Sequence, residues 1–158
     1  MEARTVTRMA GIMGWVLLLA TWVAVLIGYT SLPARIPIHF NARGAADNYG
    51  PRASIWLLLA LLTGVFLLLS ALGRHAHRLP RTATEPPPDM ARLRLFFAWL
   101  RLSVLLVFVI DIAQLFPAVL GAAERERNWL LPLNLLLVFL PTGWFLWTVL
   151  RGRARQEG

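Results

Sequence analysis

The residues able to do chemistry fall into two groups, one in a polar loop and one inside an apolar helix. In the loop, Arg35, His39 and Asn41 occupy odd positions, so in an extended chain they share one face, and Asp47 and Arg52 follow. His39 is the only one of these whose side-chain type titrates near neutral pH. Such a group reads either as a small polar site or as side chains that bond the loop's own backbone and cap the next helix. In the second group Asp111 stands within a long apolar run, with Gln114 three residues on and on the same helical face. Asn134 and Thr63, in neighbouring apolar runs, fall at depths that let them join it. A carboxylate there reads as a proton- or substrate-coupled site, or as an interhelical hydrogen bond worth about 0.6–2 kcal/mol.

Other chemistries are poorly supplied. There are no cysteines, which excludes disulfides and thiolate sites. His75 and His77 sit beside a basic run with no further ligands close by, so they read as membrane edge rather than a metal site. Neither HExxH nor GxSxG occurs, so no enzyme, no cofactor and no metal is expected.

The elements that must position these groups are membrane helices. The chain is 58% hydrophobic and 15% charged with mean hydropathy +0.61, whereas a soluble domain carries roughly 25% charged residues. A bilayer core needs about 20 apolar residues per helix. Four runs qualify, at about 9–29, 53–73, 95–122 and 129–150. The first is longer than the apolar stretch of about 7–15 residues in a cleaved signal peptide. Trp129, Trp144 and Trp147 suit membrane interfaces, and Pro132 and Pro141 are tolerable in a membrane helix. Ala20, Ala24 and Gly28, and Ala60 with Gly64, form small-residue seams for close packing. Arg101, over two turns from Asp111, is expected to snorkel to the surface rather than pair with it. The expected fold is an all-α membrane protein of four transmembrane helices in two hairpins, with a structured extracytoplasmic loop between the first two. The division is a motif-bearing hairpin at 1–78 with its loop at 30–52, a cytoplasmic linker at 79–94, and a second hairpin with a basic tail at 95–158.

All sixteen basic residues are arginine. Arg4, Arg8, Arg74, Arg78, Arg81, Arg92, Arg94, Arg151, Arg153 and Arg155 fall on one side of the spans. Arg35, Arg43, Arg52, Arg125 and Arg127 fall on the other, so the count is ten against five. Positive residues collect on the cytoplasmic side, which places both termini in the cytoplasm of a bacterial inner membrane. The net charge of +8 is then topological, and the partner it implies is the lipid bilayer, not nucleic acid. Residues 121–128 form a short self-neutralising turn, and Glu85-Pro-Pro-Pro-Asp89 is a stiff polar stretch.

The loop at 30–52 is far longer than two helices need to turn around. Ile36, Ile38 and Phe40 alternate like one face of a strand, and Pro33 and Pro37 favour extended neighbours. Gly44 and Gly50 suit turn conformations, and Pro51 suits a first helical position. The string LPARIPIHFNARGAADNYGPR resembles the signature of a bacterial membrane domain of unknown function, the family numbered sixteen-forty-eight. That family reads approximately LPxxIPxHFNxxGxxDxWGxK. Leu32, Pro33, Ile36, Pro37, His39, Phe40, Asn41, Gly44, Asp47 and Gly50 match, with Tyr49 in place of Trp and Arg52 in place of Lys. The same domain opens the SdpI-like immunity proteins, which carry further helices after the motif-bearing pair. The resemblance implies a role in toxin immunity or membrane signalling, with an extracytoplasmic peptide or toxin and a cytoplasmic repressor or regulator as partners. The other reading is a small proton-coupled transporter or permease subunit using Asp111.

Overall fold

The computed structural model describes residues 2–41, 45–76, 89–116 and 129–154, with residues 2–4, 150 and 152–154 described by backbone alone. Four helices are long and apolar enough to cross a membrane: α1 (Glu2–Gly28), α2 (Ser54–His75), α3 (Met90–Leu115) and α4 (Leu130–Ala154). A short 3-10 turn, Tyr29–Ser31, and two strands, β1 (Arg35–Phe40) and β2 (Ala46–Pro51), join α1 to α2. The fold is therefore helical with a small antiparallel sheet, and the sheet corrects the all-α expectation. Gly44, His77, Arg78, Arg81, residues 85–88, residues 117–128 and Arg155 lie outside the described residues.

The helix limits follow from local chemistry. α3 begins five residues before the expected 95, because Asp89 caps it: its Oδ1 accepts from the amides of Ala91 at 3.0 Å and Arg92 at 3.2 Å. A carboxylate at that position satisfies otherwise orphaned amides and favours the positive end of the helix. At the other end, Phe116 N–H reaches Ala113 O at 3.4 Å, and the next residue in sequence, Pro117, has no amide hydrogen to continue the ladder. Pro132 falls in the first turn of α4, where its missing donor costs nothing, whereas Pro141 lies inside the helix. Pro51 does not open α2; it ends β2, and α2 starts at Ser54.

Packing centres on α3, which lies against α1, α2 and α4. α1 and α2 meet through large side chains: Trp15 stands edge-on to Phe66 at 4.8 Å, and Trp22 Nε1 donates to Thr63 Oγ1 at 3.1 Å. One buried cluster joins Leu18 and Val25 of α1, Ile55, Leu59, Leu62 and Phe66 of α2, and Leu105, Ile112 and Leu115 of α3. Outward-facing apolar residues such as Ile27 and Leu57, each 75% exposed, give the bundle the surface that lipid requires. Hydroxyls within the helices bond back one turn, Thr21 to Leu17 O at 2.7 Å and Ser70 to Phe66 O at 2.7 Å, so apolar surroundings leave them satisfied.

Close approach uses other small residues than the expected seams. Ala20, Ala24 and Ala60 are exposed, and a Cβ on Gly64 would meet nothing within 4 Å. Gly14 is the buried one, with Phe66 of α2 at 2.9 Å from where its Cβ would be. Gly28 alone of the α1 seam is used, facing the Phe116 ring at the end of α3.

Candidate functional site

The loop folds as a hairpin in which Arg35 opposes Pro51, Ile36 opposes Gly50, Pro37 opposes Tyr49 and His39 opposes Asn48, with irregular register beyond Pro37. An isolated two-stranded hairpin is marginal in water, and this one is pinned to the bundle by two anchors. Leu32 and Ile36, 3% and 2% exposed, enter the core beside Ile55 and Leu115. Ile38 and Phe40, expected on the same buried face as Ile36, are 49% and 41% exposed.

Several motif residues serve the hairpin itself. Asn41 accepts from Ala45 N through its Oδ1 at 3.1 Å, while its own amide donates to Ala45 O at 2.9 Å, closing the turn from both ends. Arg35 Nη2 donates to Tyr49 O at 3.2 Å, and Arg52 N to Ala34 O at 2.9 Å. The Arg52 guanidinium sits over the Tyr29 ring at 5.2 Å, and Tyr29 leans on Trp56 at 4.9 Å, which ties the hairpin base to α2. Gly50 is needed for space rather than for a turn conformation. It is buried, and a Cβ there would lie 2.9 Å from Ile38 Cγ2 and 3.1 Å from Ser54 Oγ.

His39 Nδ1 donates to Asp47 Oδ1 at 2.5 Å across the strands. With side chains 65% and 43% exposed, the pair is solvated and worth at most about 1 kcal/mol. His39→Ala is accordingly expected to lower stability by less than about 1 kcal/mol, read as a small shift of thermal unfolding in detergent. A larger loss would mean that the pair does more than brace two strands.

Inside the bundle, Asn134 Nδ2 of α4 donates to Asp111 Oδ1 of α3 at 3.0 Å. Asn134 Oδ1 is buried and accepts nothing. Of the expected partners, Gln114 opens on the same space as Asp111, whereas Thr63 is directed to α1, where it receives the Trp22 donor and donates to Leu59 O at 2.8 Å. Arg101 is also apart from Asp111, but it turns inward rather than to the surface: its Nη1 donates to Ser70 Oγ of α2 at 3.0 Å.

The two chemical groups converge on one cavity of about 520 Å³. β1 supplies one wall with Ile38, His39, Phe40 and Asn41. α2 supplies Ser54, Leu58 and Leu61, and α3 and α4 supply Asp111, Gln114, Leu131 and Asn134. The walls are mostly apolar with a few polar groups, and the volume falls in the range of small-ligand sites, roughly 300–1,000 Å³. Of the described residues lining it, Asp111 is the one carboxylate, and Asn134 Oδ1 is a buried acceptor without a partner. The sequence points to these groups at 32–52 and at 111–134, Asn134 of α4 included, without joining the two; it gives no sign of β2, nor of Ser54, Leu130 or Leu131 as parts of one cavity.

Fold and site together define a multi-pass helical membrane protein in which a β-hairpin at one end of the bundle roofs an intramembrane polar pair. Residues 16–63, which span the second half of α1, the hairpin and the first half of α2, match the family model of a domain of unknown function (DUF1648). Asp111, Gln114 and Asn134 lie beyond the matched segment. Comparison with curated proteins and with solved structures gives no match.

Proposed function

We propose that this chain is a non-enzymatic receptor of the bacterial inner membrane, which captures an extracytoplasmic peptide or toxin and acts in immunity or membrane signalling as SdpI-like proteins do. The observation that carries the reading is the convergence of the loop motif and the Asp111–Asn134 pair on one cavity. Its chemistry selects an apolar segment that brings a hydrogen-bond donor or a cationic group to Asn134 Oδ1 and the Asp111 carboxylate. The arginine asymmetry supports termini in the cytoplasm and the hairpin outside. The arginine-rich inner face is then suited to holding a cytoplasmic repressor or regulator.

Deleting the gene and challenging cells with secreted peptides is expected to lower survival or alter gene expression. The wild-type gene is expected to restore both, and Asp111→Leu to restore neither while still reaching the membrane. Unchanged survival and expression after deletion would sink the proposal.

A proton-coupled transporter or permease subunit is the second reading, favoured by the cavity position of Asp111. It requires proton-coupled flux in vesicles that Asp111→Asn abolishes; vesicles showing no flux with the wild-type protein would end it.

A further inference from the structure

At the opposite end of the bundle lies a second cavity of about 370 Å³, between the start of α1, the end of α2 and the start of α3. Along α3 it is separated from the first by the ten-residue step from Arg101 to Asp111, about 15 Å at about 1.5 Å per residue. Three guanidiniums line it: Arg74 from α2, and Arg94 and Arg101 from α3, seven residues apart and so on one face. No Asp or Glu is among the described residues lining it. Among the described residues, the carboxylate at this end of α3 is Asp89, which Arg92 engages at 3.0 Å.

Arg101 is the least exposed of the three. Its Nη1 meets only the neutral hydroxyl of Ser70 at 3.0 Å, its Nε is buried with no partner, and its charge lies over the Phe66 ring at 5.1 Å. Arg74 is near enough to repel it. A buried charge of this kind is costly unless an opposite charge reaches it. Space for that charge is left by Gly11, whose Cβ would lie 3.6 Å from Arg101 Nη2, and by Gly73 beside Phe97. Arginine forks match the oxygens of a phosphate group in bidentate fashion, and basic pockets between helices at the membrane edge hold anionic headgroups.

We propose that the cavity formed by Arg74, Arg94 and Arg101 binds a phosphate group. Two sources carry that group to this depth, the headgroup of an anionic phospholipid and free phosphate. Titrating the full chain in detergent with short-chain phosphatidylglycerol, phosphatidylcholine and inorganic phosphate, read by native mass spectrometry and thermal unfolding, separates them.

Saturable binding of phosphatidylglycerol well above phosphatidylcholine identifies the lipid; saturable binding of inorganic phosphate alone identifies the free ion. In either case Arg94→Gln is expected to weaken binding about fivefold, from the roughly 1 kcal/mol that each arginine contributes at a membrane surface. Arg101→Gln is expected to weaken it at least as much. Arg94 is exposed, so its variant keeps the test informative even where the Arg101 variant fails to fold. Equal binding of both lipids with none of phosphate would overturn the proposal, as would affinity unchanged in Arg94→Gln and Arg74→Gln.

Discussion

Ile36→Ala is expected to destabilise the protein by about 2–4 kcal/mol, the range for emptying a packed core position. Ile36 is 2% exposed and, with Leu32, is the hairpin's hold on the bundle. Its truncation opens a void in the buried cluster that also holds Ile55 and Leu115, beside the larger cavity that all three line. The loss should appear as a lower midpoint of thermal unfolding in detergent and as faster exchange of the β1 and β2 amides. Ile36→Asp should go further and detach the hairpin, since it places a charge where no cation is packed. Intact β1–β2 exchange protection in Ile36→Asp would refute the anchoring role.

The second large effect is expected at Gly28. An added Cβ would overlap the Phe116 ring, closer than non-bonded atoms approach, so Gly28→Ala must push α1 and the end of α3 apart. Overpacking of this kind costs about 1–3 kcal/mol. Phe116→Leu in the same chain should recover most of that loss, because it removes the atoms that the new methyl meets. The two changes must therefore be non-additive in a double-mutant cycle. Additive losses would show that Gly28 matters for some reason other than its contact with Phe116.

The parts legible in the sequence were those written in a single local stretch. The apolar runs located the end of α1 and the start of α2 to within one residue but the start of α1 seven residues late, and the alternation at Ile36, Ile38 and Phe40 marked β1. Runs of charge hid what lay beside them. α3 begins under Arg92 and Arg94, and the signal for its start was Asp89, a capping residue rather than an apolar one. β2 had no alternation to read, since Ala-Asp-Asn-Tyr-Gly-Pro has weak strand propensity and is extended because β1 pairs with it. Depth along a helix was readable, but the neighbour it faces was not. Thr63 was placed at the level of Asp111 yet bonds Trp22, while Asn134 at a similar level does reach the carboxylate. Residues 32–52 and 111–134 meet in one cavity only through helix packing, which no local pattern records.

The position of α3 carries a consequence for biosynthesis. It holds both Arg101 and Asp111, and a charged side chain within a membrane helix is costly. The hydroxyl that receives Arg101 belongs to α2, made earlier, whereas the amide that receives Asp111 belongs to α4, made later. As the nascent chain leaves the ribosome, Arg101 can reach the Ser70 hydroxyl as soon as α3 emerges, whereas Asp111 has no Asn134 amide to meet until α4 follows. The Asp111–Asn134 bond is therefore one that can form only after the fourth segment has been made.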